Sequence, residues 1–174
     1  MSIYIVLTQS GAMFSRALKL FTRAPYNHVS ISLTPTLERM YSFARLQPYN
    51  PFKAGFVEEG IHIGTFKRFY KTQAMVMELK VDAQTYMRVK HMIDFFCEHK
   101  YRFRYNYRGV FLACFKKDYA PKNNFYCSQF VRSCLALFDI SNANNLPKII
   151  KPIDFLKLDN TEVIYEGQLQ QYSY

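Results

Sequence analysis

The chain has 174 residues, of which 49% are hydrophobic and 21% charged, and it carries a formal net charge of +10. That length and balance suit one domain spanning 1–174 with a core of its own, and they exclude a disordered chain. The excess of Lys and Arg points toward acidic partners such as anionic lipid, a polyanionic or cell-wall polymer, or nucleic acid, without choosing among them.

In chain order, the short apolar run at 3–7 reads as a buried strand. Ser10 then N-caps an expected helix over 11–22, whose Met13, Phe14, Ala17, Leu18 and Phe21 form a broad stripe opposite Ser15, Arg16 and Lys19. Its length favours a core-packed helix over a membrane-surface one. After the Ala24-Pro25-Tyr26-Asn27 turn, residues 28–33 alternate strictly, with Val29, Ile31 and Leu33 on one face and His28, Ser30 and Ser32 on the other. Residues 40–45 read as the returning strand of a hairpin. From 47 to 64 the recurring Pro and Gly predict a long connection with one short strand near 56–57, and Glu58 and Glu59 read as a solvated acidic pair.

A strand is expected over 73–81, followed by a helix from Asp82 to about His99 with Tyr86, Val89, Ile93, Phe96 and Cys97 inward. Residues 100–108 alternate aromatic and basic side chains. As one extended segment they would show an aromatic and a cationic face, a pattern that serves single-stranded nucleic acid or simply an edge strand. A short helix over 109–115 would carry Cys114 inward. Residues 152–158 read as a helix opened by Pro152, 162–166 as a last strand and 168–174 as a polar tail.

Between these lies the stretch with the most chemistry, Tyr126-Cys127-Ser128-Gln129-Phe130-Val131, just after a Pro121–Asn124 turn signal. Phe130, Val131, Cys134, Leu137 and Phe138 share one helical face with Cys127 a turn earlier. A thiol there is either a small core residue or a nucleophile, since a helix N-terminus favours thiolate and offers N–H groups to an oxyanion. His28, at the head of a strand, is either a surface residue or the base that such a thiol needs. Together they form a possible Cys–His pair, with the order along the chain inverted relative to papain-type enzymes.

None of the four cysteines forms a CxxC or a zinc-type Cys/His spacing, and no Gly-rich phosphate loop occurs, so no cofactor and no metal is expected. Reduced thiols in a cytoplasmic protein, at most peripheral to a membrane, are the expectation, because the apolar N-terminus is too short for a signal peptide and no stretch reaches transmembrane length.

Asn27-His28-Val29-Ser30-Ile31 and Tyr126-Cys127-Ser128-Gln129-Phe130-Val131 resemble the motifs of the permuted papain-like amidases of the YaeF/YiiX type. These are circularly permuted relatives of the NlpC-type cell-wall peptidases, akin to lecithin:retinol acyltransferase-like proteins. Tyr105-Asn106-Tyr107-Arg108-Gly109 is similar to an aromatic stretch preceding the family's cysteine helix. The resemblance implies an α+β, circularly permuted papain-like fold with an antiparallel sheet packed against the cysteine helix. It also implies thiol hydrolase or acyltransferase chemistry on an amide or ester of a small molecule, peptide or lipid. Cys127 would attack, His28 would serve as base and then acid, and the Cys127 N–H with the Tyr126 hydroxyl would receive the oxyanion, Tyr126 otherwise lining the pocket.

The family's third polar residue comes from the neighbouring strand as His, Glu, Asn or Gln. Residues 40–45 offer none of these, which leaves Ser42 as the candidate, Tyr41 as the alternative and Glu38 in the turn as a more distant one. That departure motivates a second reading, a papain-like module without strong catalysis that binds anionic lipid or polymer. Nucleic-acid binding ranks last, as no recognised motif accompanies the charge. Oligomeric state leaves no mark in the sequence.

Overall fold

In the computed structural model, which describes residues 1–10, 25–47 and 50–174, strand β1 (Ser2–Gln9) runs through the middle of a six-stranded antiparallel sheet. The expected helix over 11–22 lies outside the described residues. β1 pairs with β2 (His28–Ser32) on one side and β5 (Gln73–Lys80) on the other. β3 (Met40–Gln47) and β4 (Asn50–Glu59) extend the sheet beyond β2, and β8 (Thr161–Gln168) closes it beyond β5. The fold is mixed α+β.

Alternation sends each strand's side chains into two separate cores. Ile3, Ile5 and Leu7 join Val29, Ile31, Phe43, Met77 and Leu79 on one face. Helix α2 (Ala83–Glu98) covers this face with Val89, Ile93 and Phe96, and α4 (Cys127–Ala136) covers it with Phe130, Val131 and Cys134. On the other face Tyr4, Val6, Met40 and Val76 meet Leu37, Leu169 and Phe66 of the short helix α1 (Gly64–Arg68). An aromatic cluster fills the first core in the absence of tryptophan: Phe96 and Phe103 stand 4.3 Å apart, and Phe43 lies 5.3 Å from Phe125 and 5.5 Å from Phe130.

Several sequence expectations change here. The 47–64 stretch is not a long connection, because most of it is β4, a ten-residue strand. Pro51 and Gly55 fall within β4, which lies at the edge of the sheet among the described residues, where a strand accommodates them. Nor is 100–108 one extended strand. It divides into a single 3-10 turn (Lys100–Arg102), a two-residue strand β6 (Arg104–Tyr105) parallel to β7 (Asn124–Phe125), and the start of helix α3 (Tyr107–Cys114). Asn106 breaks the alternation by capping α3, its side-chain oxygen accepting the Gly109 N–H at 2.8 Å. Cys114, expected inward, is exposed near the end of that helix. α4 stops at Ala136, so Leu135 is buried while Leu137 is 67% exposed. The 152–158 segment is a 3-10 turn (Pro152–Lys157), and the supposed tail buries Leu169 completely.

Among the described residues no helix is long and apolar enough to cross a membrane, and no His/Cys/Asp/Glu cluster could hold a metal ion.

Candidate active site

His28 heads β2, opposite Thr8 in the register with β1, and Cys127 is the first residue of α4. A buried amide network holds that helix start. The Gln129 side-chain oxygen accepts the Tyr126 backbone N–H at 3.2 Å and an Asn106 Nδ2 hydrogen at 3.0 Å. The Tyr119 carbonyl accepts from both Asn106 (2.8 Å) and Gln129 (3.2 Å). The beginnings of α3 and α4 are thereby tied together. The first N–H groups of α4 have no acceptor within the helix, as at any helix start.

The imidazole is held from behind. His28 Nε2 lies 2.8 Å from Glu59 Oε2, and the Ser30 hydroxyl donates to the same oxygen at 2.7 Å. His28 is 19% exposed and Glu59 only 7%. With Nε2 committed to the carboxylate, Nδ1 is the nitrogen able to exchange a proton with the sulfur.

The electrostatics follow from this arrangement. For His28, burial acts to lower the imidazole, but the Glu59 charge and hydrogen bonds to Cys127 and Glu59 outweigh it and push it up to about 10. For Cys127, burial acts to raise the thiol. Hydrogen bonding and charge from His28, with a hydrogen bond from the Val29 backbone, overcome it and leave the thiol below its ordinary value. Glu59 is likewise held below the usual carboxylate range. Burial opposes this, and the His28 charge and the hydrogen bonds from His28 and Ser30 prevail. The three groups therefore favour carboxylate, imidazolium and thiolate together.

Two clefts meet at the sulfur. One, open to solvent, is bordered by His28, Arg45, Glu59, Phe66 and Tyr107. The other, mostly apolar, is bordered by Tyr26, Val110, Ala113, Tyr126 and Ile150. Cys127, Asn27 and Tyr105 line both.

No family model, curated protein or solved structure matches this chain.

Of the residues expected from sequence, Cys127 and His28 come together. Ser42 does not serve as the third residue, because its buried hydroxyl donates to the Val29 carbonyl at 2.7 Å and Glu59 occupies the imidazole. Nor does Tyr41, whose ring stacks on Phe56 with centroids 6.3 Å apart. The Tyr126 hydroxyl points to the Ile150 carbonyl, to which it donates at 3.3 Å. Its ring is a wall of the apolar cleft. Glu59, read as solvated, is the residue that sequence reasoning missed. No periodic signal marked it, since Phe56-Val57-Glu58-Glu59 is two apolar residues followed by two acidic ones, and Pro51 and Gly55 read as loop punctuation.

Proposed function

We propose that this protein is a cysteine hydrolase or acyltransferase, acting on an amide or ester through Cys127, His28 and Glu59 in a permuted papain-like arrangement. One observation carries the reading: the imidazole at the head of β2 is gripped by a buried carboxylate and acts on a thiol at a helix N-terminus. That is the nucleophile, base and orienter logic of covalent acyl transfer. The absence of a strong third residue, which favoured a non-catalytic binding module, no longer argues for that alternative.

The Cys127 thiolate adds to the carbonyl carbon, and the carbonyl π electrons move to oxygen as an oxyanion. The N–H groups at the start of α4, that of Cys127 first, would receive it. Collapse of this intermediate expels the amine or alcohol, which takes a proton from the His28 imidazolium and leaves a thioester on Cys127. Water, or another acceptor in a transferase, then gives its proton to His28 and attacks the thioester, regenerating thiolate and imidazolium. Glu59 keeps the ring oriented and stabilises its charge throughout.

A thiol-directed acyl or amide activity probe tests the assignment. Labelling is expected on Cys127, abolished in Cys127→Ala and reduced about 10²-fold or more in His28→Ala. Labelling that persists in Cys127→Ala, or ignores the loss of His28, overturns it.

A further inference from the structure

Arg45, near the end of β3, borders the same cleft as His28 and Cys127. It is half-buried, and among the described residues no hydrogen bond or ion pair holds its guanidinium. The group lies over the Phe69 ring, 5.5 Å from its centroid, with the Arg68 guanidinium at the same distance from that ring. Glu59, the carboxylate closest in charge to Arg45, is already engaged by His28 and Ser30. The Glu59 charge offsets only part of the hydration that Arg45 loses, and an incoming anion that hydrogen-bonds the guanidinium would gain from the remainder. Two neighbouring groups fit a polar guest. The Thr8 hydroxyl borders the cleft and is buried with no hydrogen-bond partner among the described residues. Tyr105 faces both Arg45 and the sulfur, and burial with the nearby Cys127 charge raises its phenol, so that it stays a hydrogen-bond donor.

We propose that Arg45 is a substrate-binding residue that selects amides or esters carrying a carboxylate close to the reacting carbonyl. A carboxylate is preferred because its two oxygens fit the forked N–H groups of the guanidinium. An acylated amino acid, or a peptide cut next to a free carboxylate, has the required chemistry. This inference rests on the Cys127–His28 reading for the position of the scissile bond, though not for the binding of the carboxylate.

The test compares iodoacetate with iodoacetamide, reagents of nearly equal size that differ in charge. In each case the Cys127 thiolate displaces iodide from the CH₂ carbon. Rates are followed by mass spectrometry of the Cys127 peptide, because Cys114 is also exposed. In Arg45→Gln the iodoacetate rate is expected to fall about tenfold or more, while the iodoacetamide rate stays within about twofold. An unchanged ratio of the two rates overturns the proposal. The second measurement titrates Cys127→Ala protein with N-acetylglycine and with N-acetylglycinamide, following the Arg45 Nε–H signal by NMR. Saturable movement with the acid and none with the amide supports the site even if Cys127 proves inert to both alkylating reagents, a result that would instead overturn the Cys–His reading. No response to the acid overturns the carboxylate site while leaving the Cys–His reading standing.

Discussion

Glu59 decides how His28 behaves, and through it how Cys127 behaves. The pair is 31 residues apart in the chain and 2.8 Å apart in the fold. Because the thiol is lowered and the imidazole raised to about 10, alkylation of Cys127 by iodoacetamide should set in at lower pH than that of an ordinary thiol. In Glu59→Gln that low-pH reactivity should disappear, and kcat/KM on any acyl substrate should fall about 10²- to 10⁴-fold, as expected when a base loses its orienting carboxylate. A rate–pH profile that Glu59→Gln leaves in place would remove Glu59 from the machinery. The same pair has a stability signature. Glu59 is depressed, so its contribution is present above the unfolded carboxyl value near ~4.3 and is lost as pH falls through the lower folded value. His28 is raised, so its contribution is complete below the unfolded imidazole value near ~6.5 and is lost as pH rises through about 10. Cys127 is depressed, so its contribution grows as pH rises toward the unfolded thiol value near ~8.5 and offsets the loss from His28 below that pH. Tm measured against pH should therefore decline on the acid side and again above about pH 8.5, and Glu59→Gln should flatten both limbs.

Among the elements, α4 carries the proposed nucleophile and α3 is tied to its start. Gly109, in the first turn of α3, sits against the Asn106 side chain, and a Cβ there would come within 2.3 Å of Asn106 Nδ2. That amide cannot move without giving up its bonds to Tyr119 and Gln129, so the close approach requires glycine. Gly109→Ala should cost about 1–3 kcal/mol through a broken buried amide network. At about 2–4 °C per kcal/mol for a chain of this size, thermal melts should show a drop of several degrees. Slower alkylation of Cys127 should accompany it, because Gln129 loses one of the partners that fix the helix start. A Gly109→Ala protein with wild-type Tm and thiol reactivity would show that the network does not position α4.

At the scale of the whole molecule, the sheet is covered on both faces, and the second face is closed by the far end of the chain. Leu169 is fully buried beside Val6, Phe66 and Val76, and its N–H donates to the Thr72 carbonyl at 2.8 Å. The Tyr172 hydroxyl reaches the Pro35 carbonyl at 2.8 Å. Leu169→Ala should therefore cost about 2–5 kcal/mol, as for a core leucine, and denaturant unfolding checks this. A cost under about 0.5 kcal/mol would mark the segment as the dispensable tail that its composition suggested.

What could be read from the chain alone was local and periodic. The alternation of 28–32 and the helix opening at Cys127 depend on neighbours a few residues away, so His28 and Cys127 were legible, as were β1, β5 and the Asp82 cap of α2. The partner of His28 was not, and neither was the position of Arg45. Both depend on β4 pairing with β3 in a register that opposes Glu59 to Met40 and Ala54 to Arg45, and on that hairpin folding back beside β2. Strand register is a property of two segments and the core between them, so no window along one segment contains it. Folding the sheet brought a carboxylate behind the imidazole and, into the cleft, a guanidinium that no hydrogen bond or ion pair holds among the described residues.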